Sequence, residues 1–242
     1  EPTVNRFCRS MDTRGFPDFK LHLAQSLANG TPYVNRNVNE DDSVESYTGK
    51  IFESAMATLD HVRHSLDKSA INRAVDLLTQ AKKIAFFGLG SSAAVAHDAM
   101  NKFFRFNVPV VYSDDIVLQR MSCMNCSDGD VVVLISHTGR TKNLVELAQL
   151  ARENDAMVIA LTSAGTPLAR EATLAITLDV PEDTDIYMPM VSRLAQLTVI
   201  DVLATGFTLR RGTKFRDNLK RVKEALKESR FDKQLLNLSD HR

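Results

Sequence analysis

The chain has 242 residues, 44% apolar and 25% charged, with no net charge at neutral pH. That composition fits one large globular domain or a medium one with appendages, and it carries no overall nucleic-acid signature. No apolar run approaches the roughly 20 residues that span a bilayer, and three cysteines make no disulfide framework, which fits a reducing cytoplasm.

The charge balance is uneven along the chain. Residues 210–242 hold eleven Lys/Arg against five Asp/Glu and residues 1–36 hold five against three, so the middle is acidic by eight. The chain opens on Glu1, which reads as a fragment or a processed product. Residues 1–12 read as a short helix with Pro2 near its start and Val4, Phe7, Cys8 and Met11 as its apolar face. Gly15 breaks it, and Phe16, Phe19, Leu23 and Leu27 mark a second helix ending at Asn29-Gly30. Residues 31–42, polar and ending in Glu40-Asp41-Asp42, read as a linker.

A long amphipathic helix follows. Val44, Tyr47, Ile51, Ala55, Leu59, Val62 and Leu66 recur every three or four residues, and Ile71, Val75, Leu77 and Leu78 continue beyond Asp67-Lys68-Ser69. The pair serves either core packing or dimerisation, so residues 43–80 are set apart as connector helices. From Lys83 the pattern alternates between short apolar runs and helices. The runs are Ile84–Phe87, Val108–Tyr112, Val131–Ile135, Met157–Leu161 and Leu174–Leu178, apolar on both faces as buried parallel strands require. Helices near 92–106, 115–123, 142–153 and 167–172 connect them as right-handed crossovers, and helices near 190–210 and 214–229 close the chain. The expectation is an α/β fold, a doubly wound five-stranded parallel sheet over residues 81–210, followed by a basic helix and tail over 211–242.

In such sheets ligands bind beyond the carboxyl ends of the strands, where strand order reverses. Ser136-His137-Thr138-Gly139-Arg140-Thr141 lies between a strand and a helix start, where unpaired N–H groups and the helix dipole favour an anion. The bland alternative is a capped junction with no ligand. Gly88-Leu89-Gly90-Ser91-Ser92-Ala93 matches the short dinucleotide fingerprint, with Asp114 or Asp115 placed to hold a ribose. It also offers two hydroxyls at a helix start. In a 2-1-3-4-5 order the two turns would meet over one cleft, which suits a compact sugar phosphate better than an extended dinucleotide.

These two turns resemble the ligand loops of the sugar isomerase (SIS) domain, and Glu1-Pro2-Thr3-Val4-Asn5-Arg6-Phe7-Cys8-Arg9 resembles the recognition helix of the RpiR-type helix-turn-helix. Together they resemble RpiR-family transcription regulators. Gly15–Leu21, Glu182-Asp183-Thr184-Asp185 and Ser192–Leu197 are most similar to the members that regulate hexose catabolism. The resemblance implies a flavodoxin-like strand order, and it makes residues 1–30 the remnant of a DNA-binding domain whose first helices lie upstream. It puts phosphate contacts at Ser136, Thr138 and Thr141 with the backbone of His137, Gly139 and Arg140, and sugar contacts at Ser91 and Ser92. It implies 2-keto-3-deoxy-6-phosphogluconate (KDPG) as effector of a repressor, with operator DNA and a homodimer or tetramer as partners. Thr3, Asn5, Arg6 and Arg9 would reach bases or phosphates. No cofactor, metal or membrane partner is implied, and the expected location is cytoplasmic.

The rival class is a phosphosugar isomerase, which needs a base beside the reacting carbon. His137, Glu182 and Asp183 are its candidates near the cleft, with His97 further along the first crossover helix; His137 lies in the phosphate loop, where its backbone is the plainer contact, and Glu182–Asp185 reads more readily as an exposed acidic loop. Cys123-Met124-Asn125-Cys126 has C-x-x-C spacing but no second pair or nearby His, so two half-buried thiols are the plainer reading. Lys220, Arg221, Lys223 and Lys227 form either a solvated helix face or a DNA-backbone contact.

Overall fold

The computed structural model describes residues 37–227 and, ahead of them, Phe16. The readings that fall on the other N-terminal residues, including Thr3, Asn5, Arg6 and Arg9, and on the tail beyond residue 227 lie outside the described residues.

Two compact units divide the chain. One takes the residues up to Arg63 together with Val180–Leu194, and the other takes His64–Asp179 and the residues from Ala195 onward. In the first unit lies most of helix α1 (Val44–Ser65). Asp42 fastens its start, accepting from Asn39 N at 2.8 Å, Ser46 Oγ at 2.8 Å and Lys50 Nζ at 2.7 Å. Lys50, with the Asn39 amide, holds the Asp42 carboxyl down to about 2. Of the apolar stripe read from the sequence, Val62 is buried, whereas Val44 and Tyr47 are exposed.

The second unit begins with α2 (Lys68–Gln80), whose N-cap Asp67 accepts from Ser69 N at 2.8 Å. The sheet strands are β1 (Lys83–Gly88), β2 (Val110–Tyr112), β3 (Asp130–Ile135), β4 (Met157–Thr162) and β5 (Leu174–Thr177). Every pairing is parallel and the order is β2-β1-β3-β4-β5. The crossovers are α3 (Ser91–Phe103) with a short 3-10 turn (Phe104–Phe106), α4 (Ile116–Met124), α5 (Lys142–Glu153) and α6 (Pro167–Glu171).

Burial explains why the strands carry apolar residues on both faces. Phe87, Leu134, Val158 and Ala160 pack with Leu144, Leu147, Ala148 and Ala151 of α5, Cys123 of α4 and Leu168 of α6. On the opposite face Phe86 meets Phe103 of α3 at 5.1 Å between ring centroids, and Phe103 meets Phe207 of α7 (Val191–Ala225) at 5.4 Å. The sequence suggests two closing helices near 190–210 and 214–229. The structure carries helix through Val191–Ala225 with one break at Gly212, where φ is 76°.

Because α3 leaves β1 toward β2 while α4 and α5 lie on the other face, the winding reverses between β1 and β3. Gly88 and Ile135, the last residues of those strands, stand opposite each other in register. The two loops singled out from the sequence therefore begin side by side at the switch point.

Candidate functional site

The first loop is shaped by its glycines. A Cβ on Gly88 would fall 2.5 Å from the Ser92 carbonyl oxygen, so only glycine lets β1 turn this closely onto α3. Gly90, the N-cap, has φ +58°, a region costly for other residues. Ser91 then opens the helix half-buried, and Ser92 behind it is buried. Gly90 brings no side chain to cap the helix.

The second loop is braced from within. Ser136 N continues the ladder to Leu161 O at 3.0 Å, while its buried Oγ accepts from Gly139 N at 3.1 Å. Thr138 Oγ1 accepts from Arg140 N at 3.4 Å, at the long end for such a bond. Thr141 is the N-cap of α5; its carbonyl accepts from Leu144 N and Val145 N, and its hydroxyl makes no capping bond. His137 turns its carbonyl to Ser163, which donates from N at 3.1 Å and Oγ at 2.8 Å. Arg140 is exposed at the rim. Ser91 and Ser92 thus stand on one loop and Ser136–Thr141 on its neighbour, each following one of two adjacent strand ends.

Sequence reasoning missed two residues that brace these strand ends. The first is Thr166, in the β4–α6 turn. Thr166 Oγ1 donates to Ser163 O at 3.0 Å and caps α6 at Ala169 N, and it lies 3.4 Å from Thr162 Oγ1. Both hydroxyls press against Gly139, where φ is +57°; a Cβ there would lie 2.2 Å from Thr166 Oγ1 and 2.5 Å from Thr162 Oγ1. The Thr-Ser-x-x-Thr spacing after an apolar run was the available signal. The second is Gln119 on α4, fully buried, whose Nε2 donates to Ser113 O at 2.7 Å and reaches Gly88 O at 3.4 Å. It ties the ends of β1 and β2 together, and its Oε1 has no partner. A lone glutamine in a helix gives no sequence signal.

Three of the isomerase candidates, Glu182, Asp183 and His97, are engaged in other contacts. The Glu182 carboxylate caps α7, accepting from Met190 N at 2.8 Å, Val191 N at 2.9 Å and Ser192 N at 3.1 Å, as well as from Ser192 Oγ. Asp183 heads a turn, its carboxylate accepting from Asp185 N at 3.0 Å. His97 is exposed on α3, with its ring against Tyr112 at 4.9 Å. Burial pushes the Cys123 thiol up to about 12 and raises Cys126 also, which suits inert core thiols. Among the described residues no cluster of His, Cys, Asp and Glu could hold a metal, and no helix is long and apolar enough to cross a membrane.

A five-stranded parallel sheet with paired hydroxyl-rich loops at its switch point defines a class, the SIS domain. The SIS domain model matches residues 77–206, and the helix-turn-helix model of the rpiR family matches residues 1–30. The chain is 99% identical over 242 residues to the HTH-type transcriptional regulator HexR of Escherichia coli (strain K12), spanning all of this chain and 84% of that protein. It is 57% identical over 231 residues to the HTH-type transcriptional regulator HexR of Pseudomonas aeruginosa (strain PAO1), covering 96% of this chain and 81% of the relative. Among solved structures, Vibrio vulnificus NanR complexed with ManNAc-6P superposes with a TM-score of 0.70 at 24% identity, over 96% of this chain and 82% of that one, a likeness of fold. The chain belongs to the RpiR family of helix-turn-helix transcriptional regulators that carry a SIS domain. Both HexR relatives are named transcriptional regulators, and the chain is a DNA-binding regulator of sugar metabolism.

Proposed function

We propose that the crevice between Gly88–Ser92 and Ser136–Thr141 is an effector pocket for a phosphosugar, and that the effector is KDPG. One observation carries the reading: two loops rich in hydroxyls and backbone amides start from adjacent, in-register strand ends, Gly88 and Ile135. A phosphate seated on the second loop would take hydrogen bonds from the hydroxyls of Ser136, Thr138 and Thr141. It would take others from the amides of His137, Gly139 and Arg140, near the positive end of α5. Ser91 and Ser92 would meet the sugar hydroxyls. The Gly139 and Arg140 amides already donate to Ser136 and Thr138 hydroxyls, and an anionic oxygen is a stronger acceptor than either.

In this reading the protein is a repressor of hexose catabolism that reads operator DNA through residues 1–30, with Thr3, Asn5, Arg6 and Arg9 at the DNA. It acts as an even-numbered oligomer and leaves the operator when KDPG binds. The coupling between the two sites would be about 1–3 kcal/mol, or roughly 5- to 150-fold in affinity. The domain bounds proposed from the sequence, 31–42 as linker, 43–80 as connector, 81–210 as sensor and 211–242 as basic tail, accompany this reading.

Calorimetric titration of KDPG into the protein and its Ser136→Ala variant tests it. Loss of one charge-assisted hydrogen bond costs roughly 1.5–3 kcal/mol, about 10- to 150-fold in affinity. Equal affinity for the two proteins would remove Ser136 from the site, and no binding to the parent protein would remove KDPG.

A further inference from the structure

Beyond Gly212 the last helix changes character. Residues 218–227 hold four cations, Lys220, Arg221, Lys223 and Lys227, and one anion, Glu224. Lys220, Lys223 and Lys227 recur at spacings of three and four, which sets them along one ridge of α7 and the turn that ends it. All four cations are exposed, and none forms an ion pair among the described residues. Elsewhere in the sheet unit cations are answered: Lys83 by Asp130 at 2.8 Å, Arg120 by Glu146 at 2.9 Å and Arg210 by Asp76 at 3.1 Å. A single exposed lysine is ordinary; an unanswered run of cations on one helix is a positively charged surface.

The fold fixes which way this run faces. Phe215 is half-buried, its ring against Phe106 and Phe207 at 5.6 and 5.8 Å between centroids. Val222, seven residues further on the same side, is half-buried as well. The apolar side of the segment is thus turned to the protein and the basic ridge to solvent.

Charge and shape select the occupant. The three lysines span about 10 Å of helix, and duplex DNA carries one phosphate charge per roughly 1.7 Å of its axis. Lysine is a point charge on a flexible stem, which suits phosphates and not the edges of bases. A bilayer would need the apolar side of an amphipathic helix, and Phe215 on that side is already packed. The chain also belongs to a family of DNA-binding regulators, whose helix-turn-helix falls in residues 1–30, far along the chain from this ridge.

We propose that Lys220, Lys223 and Lys227, with Arg221 beside them, form a second DNA contact that grips the phosphate backbone without reading sequence. The proposal rests on the family's DNA partner and on nothing in the effector pocket, so its test uses no effector.

The test is fluorescence anisotropy of the full chain with a labelled mixed-sequence duplex, between about 50 and 200 mM salt. Lys220→Gln combined with Lys223→Gln removes two phosphate contacts. The slope of log affinity against log salt should become shallower by about 2, and affinity at the low-salt end should fall at least about tenfold. Lys68→Gln combined with Arg73→Gln removes the same charge from exposed positions on α2 and should leave the slope unchanged. In the parent chain, the duplex should slow acetylation of Lys220 and Lys223 relative to Lys68, read by mass spectrometry. Should a variant fail to fold, this protection decides. A parent chain that does not bind the duplex overturns the proposal. So does a slope that both double variants lower alike, or that neither lowers. Protection by phosphatidylglycerol vesicles but not by the duplex would give the ridge to a membrane and overturn it too.

Discussion

At Gly139 one missing methyl group joins two strand-end turns. The residue needs φ +57°, and its Cα faces Thr162 and Thr166 so closely that a Cβ would overlap both hydroxyls. Gly139→Ala therefore meets two penalties, roughly 1–2 kcal/mol for the left-handed backbone and about 1–3 kcal/mol for overpacking. Gly165 has φ +69° but nothing within 4 Å of a Cβ, so Gly165→Ala meets the first penalty alone. Chemical denaturation of both variants should rank them in that order, with Gly139→Ala less stable by at least about 1 kcal/mol. Equal losses would show that the threonine contact yields freely. This is also the scale at which the sequence was least informative. Ser136, Gly139 and their neighbours stood out because glycine and hydroxyl residues between a strand and a helix have a local meaning. Gln119 and Thr166 did not, because their roles depend on which strand ends lie next to each other, a non-local property.

At the scale of elements the pattern was more legible. All five strands fall within two residues of the apolar runs, because a strand buried on both faces can tolerate almost no polar side chain. The long closing helix was harder to read. Gly212 resembles a helix stop in sequence, yet the helix resumes directly beyond it, and Phe215 returns to Phe106 and Phe207, at 5.6 and 5.8 Å between ring centroids. Within the same helix Gly206 serves packing: a Cβ there would lie 2.6 Å from Val75 Cγ2 of α2. Alanine is favoured over glycine in a helix by about 1 kcal/mol, whereas overpacking costs about 1–3 kcal/mol. Gly206→Ala should therefore destabilise, and adding Val75→Ala should return part of the loss as a favourable coupling in a double-mutant cycle. Additive losses would mean that α2 and α7 do not share this contact.

The start of α1 gives an element-scale pH test. Asp42 is held near 2, below its ordinary value of 3.8, chiefly by Lys50. A lowered folded-state value means that its contribution is present above about 3.8 and is lost as the pH falls through about 2. The Lys50 contact and the Asn39 amide should thus persist at pH 4 by NMR and disappear near pH 2. In Asp42→Asn they should be weakened at neutral pH already. A parent-like Lys50 signal in that variant would show that the ion pair does not fasten the helix.

For the molecule as a whole, the proposed effector must act through the sheet unit that holds both loops, because every residue named in the pocket belongs to it. A ligand that binds only the folded state adds stability as its concentration exceeds its dissociation constant, about 2.7 kcal/mol at a hundredfold excess. For a protein of this size each kcal/mol moves the melting temperature by about 2–4 °C, so KDPG at that excess should raise it by roughly 5–11 °C. Inorganic phosphate can fill only the second loop and, lacking the sugar contacts of Ser91 and Ser92, should need far higher concentrations for the same shift. Ser136→Ala should reduce both responses, because it alters the phosphate loop itself. Ser91→Ala should reduce the response to KDPG and leave that to phosphate intact. This crossed pattern separates two loops acting as one pocket from a generic anion turn: if Ser91→Ala changes neither response, the first loop is no part of the site, and the sugar must be recognised elsewhere.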